Sequence, residues 1–242
     1  MNTAIDRKEH GLLQDKAAVV AAIGLLANMI LSGAAYMGVL PGIIGNGDIS
    51  AVIDNVITLE QQFRVAICLL TLNVVADIVV FWALYYFLRP TGKSISLLAL
   101  LFGVIHAVVA LSAVNNLIDI LLMINSTASE SLIHSDMFHV QIATLTGAFH
   151  WAWQAGMVMF GVHMLLRGYL FVKAGYMKKW LGIILLIVAA GYLFDGFGQI
   201  LVSGFGNPLV TNYVGWFEAL LVIWLLIKGR KTGREDIPPA YS

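Results

Sequence analysis

Chargeable side chains lie inside long apolar stretches of this 242-residue sequence, where water does not solvate them. They are Asp77, His106, His150, Asp195 and Glu218, accompanied by the amides of Asn73 and Gln154. Carboxyl and imidazole groups can exchange protons, hydrogen-bond small polar ligands or ligate metal ions. Because burying such groups without partners is costly, their presence in apolar segments indicates a function or a specific pairing.

Two of the amides share a helical spacing with two of the chargeable groups. Asn73 precedes Asp77 by four residues, and His150 precedes Gln154 by four. Residues four apart lie on the same face of an α-helix. Each pair is therefore predicted to form a polar stripe on an otherwise apolar helix.

The composition indicates which elements hold these stripes. Hydrophobic residues make up 60% of the chain and charged residues only 12%, against roughly 25% charged in soluble domains. Six apolar segments reach the length of about 20 residues that spans a bilayer. They are residues 17–40, 64–88, 95–124, 138–166, 180–203 and 210–228. We therefore predict an all-α polytopic bundle of six transmembrane helices over 17–228, with a cytoplasmic arm at 1–16 and a basic tail at 229–242.

Basic residues are distributed to one side of the six segments. Thirteen of the 14 lysines and arginines lie in the N-terminal arm, in the loops after the second and fourth segments, or in the tail. The positive-inside rule then predicts that both termini are cytoplasmic and that the lipid bilayer is the main partner. Basic and acidic residues balance at 14 each, which argues against nucleic-acid binding.

Depth within the segments predicts where the polar stripes meet. At about 1.5 Å per residue, Asp77 lies about 18 Å and His106 about 20 Å from the basic end of its segment. The other three chargeable groups lie at about 15–25 Å. These depths predict one polar cavity at the midplane and outer half, with Arg64 at its outer edge as a counter-charge. His163, near the inner boundary, is predicted to be interfacial and separate from this cavity.

Several interpretations of the cavity remain open. It could serve a small-molecule or ion carrier or binding protein, with or without proton coupling. It could equally belong to a non-catalytic structural or sensory protein, since polar residues stabilise transmembrane helix contacts by about 0.6 kcal/mol each. A metal-dependent enzyme is less favoured, because zinc catalysis needs three protein ligands and the histidine spacing supplies no such set. We predict no bound metal or cofactor; the sequence gives no indication of oligomeric state.

Four short motifs resemble a known family. They are Arg64 with Asp77, Leu88 to Pro90, Gly161-x-His163 followed by Gly168-Tyr169, and Gly191-Tyr192-x-x-Asp195. Together they resemble the six-pass bacterial membrane family catalogued as domain of unknown function 4386, although Lys178 stands where that family has proline. The resemblance implies a six-helix architecture in a bacterial inner membrane. It implies no particular reaction or ligand.

Overall fold

In the computed structural model, residues 2–45, 47–126, 130–133, 135–202, 205, 214–227 and 229 are described. The elements are α1 (Asn2–Gly33), a π-helical segment (Ala34–Val39), α2 (Leu40–Ile44), α3 (Ile49–Thr58), α4 (Glu60–Ser126), α5 (Glu130–Ile133), α6 (Asp136–Lys173), α7 (Lys179–Leu201) and α8 (Val214–Ile227). No β-strand occurs among these described residues. The predicted all-α class is confirmed.

Within the described residues, four helical stretches are long and apolar enough to cross a membrane. They are Gly11–Ile44, Glu60–Ser126, Asp136–Lys173 and Lys179–Leu201. The 67 residues of α4 would extend about 100 Å, more than three times the roughly 30 Å hydrocarbon core. This single stretch therefore contains both the second and the third predicted segment.

The sixth predicted segment corresponds to α8, which has 14 described residues. Residues 210–213 and 228, together with 230–242 of the predicted tail, lie outside the described residues. The count of six spans accordingly stays a prediction. At the other end, the predicted arm is helical from Asn2 and continues directly into the first apolar segment.

α4 reverses direction near Pro90 and forms a helical hairpin. Proline lacks the backbone N–H that would continue the helix, and Gly92 has non-helical torsions, with φ −177° and ψ 92°. Beyond this point the two arms pack side by side. The hydroxyl of Ser96, on the second arm, donates a hydrogen bond to the carbonyl of Tyr85, on the first arm, at 3.1 Å. Farther from the turn, Gly103 lies against Phe81.

Glycines allow α6 and α7 to pack closely in antiparallel fashion. A Cβ added at Gly182 would lie 2.6 Å from the backbone nitrogen of Val172, and one at Gly161 would lie 3.0 Å from Leu193. Gly196 faces Val158 in the same way. Small residues at such contacts let transmembrane helix backbones approach. The term glycine seam is used below for this contact, formed by Gly161, Gly168, Gly182 and Gly196.

The described residues form two compact units. Unit 1 draws on the ranges Met1–Ala27, Ala76–His106 and Met157–Ser242, and unit 2 on Asn28–Val75 and Ala107–Gly156. The core of unit 2 is apolar and includes the fully buried Phe63, Leu117 and Phe149. Unit 1 contains most of the buried chargeable side chains, so the candidate site is described there.

One end of unit 1 is held by polar contacts at the hairpin turn. The carbonyl of Phe87 accepts hydrogen bonds from the Gln14 side chain and from the Tyr176 hydroxyl, both at 3.1 Å. Since the single hydroxyl hydrogen of Tyr176 goes to Phe87, the hydroxyl of Thr91 must donate to Tyr176, at 3.0 Å. These contacts connect α1, the hairpin turn and the α6–α7 loop.

Candidate functional site

A carboxyl group and an imidazole face each other across the α4 hairpin. Oδ2 of Asp77 lies 3.9 Å from Nε2 of His106, and both side chains are buried. This separation is too long for a hydrogen bond. It falls within ion-pair range, so the two groups interact electrostatically when both are charged.

Two phenyl rings lie against this pair. The ring centroid of Phe160, on α6, is 5.0 Å from that of His106, and the centroid of Phe81 is 6.3 Å from it. Tyr192, on α7, meets Phe160 edge to face at 5.4 Å. Aromatic rings from α4 and α6 thus border His106, and Tyr192 of α7 packs behind one of them.

A second imidazole, His163 on α6, is fixed by two hydrogen bonds. Its Nδ1 lies 2.6 Å from the carbonyl oxygen of Ala99, and its Nε2 lies 3.1 Å from Nη1 of Arg167. A carbonyl only accepts and a guanidinium only donates. His163 therefore donates through Nδ1 and accepts through Nε2, which defines one neutral tautomer.

The space for this imidazole depends on Gly103 in the facing arm of α4. A Cβ at Gly103 would come within 2.7 Å of the Phe81 ring and 3.0 Å of Nδ1 of His163. Both His163 and Arg167 are almost fully buried, at 1% and 2% exposure. His163 is therefore packed between helices, which depth along one helix could not show. Its position near the inner boundary of the membrane stays a prediction.

A narrow crevice adjoins His163 and Arg167. It encloses about 160 Å³ of space between atoms but is nowhere wide enough for a water molecule. Its lining comprises Phe81, Leu84, Tyr85, Leu88, Ser96, Ala99, Leu100, His163 and Arg167. The groups around His163 are therefore closely packed.

The other predicted site residues are differently placed. Asn73 and Asp195 are buried, Gln154 is half-buried and His150 is exposed. The side chain of Glu218 lies outside the described residues, although its backbone belongs to α8. Whether these groups line one ligand cavity stays a prediction.

Arg64 pairs locally. Its Nη2 lies 2.6 Å from Oε1 of Glu60, one turn earlier on α4, and the same oxygen accepts a hydrogen bond from Asn125 at 3.0 Å. The two charged side chains are 47% and 40% exposed. Arg64 thus neutralises a neighbouring surface carboxylate. Its role as a counter-charge at the edge of the cavity stays a prediction.

A metal site would require several donor side chains to converge on one point. Within the part of the chain that the structure describes, no three histidine, cysteine, aspartate or glutamate side chains converge closely enough to hold an ion. Asp77 and His106 form a two-member pair only. The absence of a bound metal remains a prediction that requires chemical analysis.

Sequence reasoning missed the His163–Arg167 interaction. The four-residue spacing was visible, and such spacing places both side chains on one face. The acceptor carbonyl of Ala99 belongs to another helix, so no local pattern could indicate that the imidazole points inward.

Comparison with known proteins identifies relatives over most of the chain. The family described as "Domain of unknown function (DUF4386)" matches residues 20–229. An uncharacterized protein from Archaeoglobus fulgidus is 32% identical over 160 residues, which cover 66% of this chain and 81% of that protein. No solved structure matches the chain.

Proposed function

Because the chain belongs to the DUF4386 family of unknown function, we propose a function for it from the buried pair. In this proposal it is a multi-pass membrane protein that binds or carries a small molecule or ion, and Asp77 and His106 hold a proton that is exchanged during this process. The apolar helices of the described part of the chain, four of which are long enough to cross a membrane, support a membrane setting.

The proposed topology has six spans with both termini in the cytoplasm. The hairpin of α4 would supply two of these spans, and the one-sided distribution of basic residues supports the orientation. The proposed compartment is the plasma membrane, which in a bacterium is the inner membrane. An archaeal relative means that family resemblance alone does not indicate a bacterial source.

The distance of 3.9 Å between Asp77 and His106 carries the proposal. A buried pair of this kind can hold one proton in two ways, as carboxylate with imidazolium or as carboxylic acid with neutral imidazole. Neither form leaves a net charge in the apolar interior, so both forms are accessible at modest cost. Chargeable residues inside transmembrane segments commonly form proton or ion pathways for this reason.

Infrared spectroscopy of the reconstituted protein tests the proposal directly. The C=O stretch of a buried carboxylic acid should appear and disappear as pH is changed, and it should be lost in Asp77→Asn. The matched control is Asp119→Asn, because Asp119 lies on the same helix α4 but is exposed. A titrating band that persists in Asp77→Asn, or no titrating band at all, would contradict proton exchange at this pair.

A structural role is the second candidate, and the glycine seam favours it. Close helix contacts of this kind stabilise membrane bundles without any ligand, and the crevice beside His163 is too narrow for water. In this alternative, replacing Asp77 would lower stability while the infrared spectrum showed no pH-dependent carboxyl band.

A further inference from the structure

Two phenyl rings contact both the imidazole of His106 and that of a second histidine, His163. Phe160 contacts both imidazoles, with centroids 5.0 Å from His106 and 5.8 Å from His163. Phe81 does the same, at 6.3 and 4.4 Å. Protons move between hydrogen-bonding atoms or through water, and a phenyl ring provides neither. In this conformation, the two histidines are therefore poorly suited to exchange a proton.

His163 is itself a poor proton acceptor in this arrangement. Both ring nitrogens are engaged, Nδ1 with Ala99 and Nε2 with Arg167. Binding a proton at Nε2 would break the bond to Arg167 and place an imidazolium beside a guanidinium that stays charged. Like charges at this distance oppose that state. The adjoining crevice is too narrow for a water molecule that could carry the proton past.

These groups lie on the side of the pair that leads to the basic loops. Arg167 is six residues before Lys173, and Ala99 is six residues after Lys93. Asp77 is twice as far from Arg89 along its helix. On the proposed topology, the basic loops are cytoplasmic, so Phe81 and the His163–Arg167 pair lie nearer to the cytoplasm than Asp77 does, while Phe160 lies at about the same depth as Asp77.

We infer that Phe81, Phe160, His163 and Arg167 form an inward proton barrier, so that the Asp77–His106 pair exchanges its proton only with the outer face in this conformation. This inference rests on the proposed function and adds the side from which protons reach the pair. Arg167 contributes by its fixed positive charge, as arginines do in pores that exclude protons.

The described side chains of α1 and α7 bring few other titratable groups to this region. α1 passes close to the first arm of the hairpin at Gly24, beside Val80, and residues 17–33 contain no chargeable side chain. α7 contributes Tyr192, which contacts Phe160, and the buried Asp195 one turn later. The phenol of Tyr192 covers another edge of Phe160 and thereby holds this ring in place.

Carbodiimide labelling in oriented membrane vesicles tests the inference on the full chain. A hydrophobic carbodiimide such as dicyclohexylcarbodiimide modifies a buried carboxyl group only in its protonated form, and mass spectrometry locates the modified residue. Right-side-out vesicles would be prepared with an acidic outer and alkaline inner solution, and then with the reverse gradient. We expect modification of Asp77 to increase about tenfold for each pH unit by which the outer solution is acidified, and to respond little to the inner pH.

Phe160→Ala removes the ring that contacts both imidazoles. In this variant, modification of Asp77 should also respond to the inner pH. Phe87→Ala is the matched control, because Phe87 is a fully buried phenylalanine of unit 1 that packs near Tyr176 and Trp224 at the hairpin end. In Phe87→Ala, labelling of Asp77 should respond only to the outer pH, as it does in the protein without substitutions.

The outcomes separate this inference from the proposed function. If carbodiimide labelling of Asp77 in the protein without substitutions follows the inner pH, the barrier is overturned, while proton exchange at Asp77 stands. The same holds if Phe160→Ala behaves like Phe87→Ala. An Asp77 that is not labelled under either gradient contradicts the proposed function and with it the barrier. If Phe160→Ala does not fold, the response of the protein without substitutions to the inner and outer pH still tests the barrier.

Discussion

Arg167 donates a hydrogen bond to the Nε2 atom of His163, one helical turn earlier on α6, at 3.1 Å. Both side chains are almost completely buried. An arginine in this position needs an acceptor, and a neutral imidazole provides one without bringing a second charge into the apolar interior. The pair therefore makes a testable contribution to stability.

Replacing His163 by Leu should lower the free energy of unfolding by about 1.5–3 kcal/mol, since a hydrogen bond to a charged group is lost in a buried site. The double variant His163→Leu/Arg167→Leu should recover part of this loss, because replacing both partners by apolar groups removes the mismatch. Chemical unfolding in detergent would measure the effect. Strictly additive losses in the double variant would argue against coupling between these side chains.

The glycine seam predicts opposite effects of two chemically identical substitutions. Gly182→Ala should destabilise by about 1–3 kcal/mol, because the new Cβ meets backbone atoms that cannot move freely. Gly147→Ala, on α6, should be neutral or stabilising by up to about 1 kcal/mol, because a Cβ there meets no atom within 4 Å. Thermal unfolding of both variants provides the comparison, and equal behaviour would contradict the close α6–α7 contact.

Topology can be measured with reporter fusions. Fusions after Lys93 and at the C-terminus should report the cytoplasm, and fusions near Asn125 and Asn207 should report the outer side, because basic loops stay inside. The position near Asn125 is the most informative, since it follows the second arm of the α4 hairpin. A cytoplasmic signal there would rule out the six-span arrangement.

Elemental analysis should find no stoichiometric metal in detergent-purified protein. Asp77 and His106 supply only two ligands, and zinc sites use about three or four. Zinc bound at about one ion per chain, and lost in His106→Ala, would favour the enzymatic alternative instead. His163→Ala serves as a comparison, since both nitrogens of His163 are already engaged.

The sequence predicted the helical class and the burial of Asp77, His106 and Asp195, because apolar runs and helical depth are local properties. Asp77 and His106 contact each other because they lie at similar distances along the chain from the turn at Pro90, and these distances can be read from the sequence. The role of His163 could not be predicted, since it depends on a carbonyl of another helix. The Arg64–Glu60 pair was not predicted, because Glu60 lies just outside the predicted segment.

Two further elements were not predicted. α3, from Ile49 to Thr58, lies between the first and second predicted segments. The Asp48 side chain caps its first turn by accepting a hydrogen bond from the backbone N–H of Ser50. The π-helical segment Ala34–Val39 interrupts the first apolar run. Neither α3 nor the π-helical segment changes the hydrophobic pattern enough to be detected from segment length and hydropathy alone.

The hairpin of α4 also bears on how the protein is made. Asp77 and His106 belong to the two arms of one hairpin, so both emerge during synthesis well before α6 does. An aspartate entering the bilayer centre alone costs about 2.5–3.5 kcal/mol. Insertion of the two arms together would let each group meet its partner on entry, whereas His163 reaches Ala99 only after another 60 or so residues have been added. The polar centre of the protein is thus expected to assemble in the order of translation, with the Asp77–His106 pair first and the His163–Arg167 pair closing over it later.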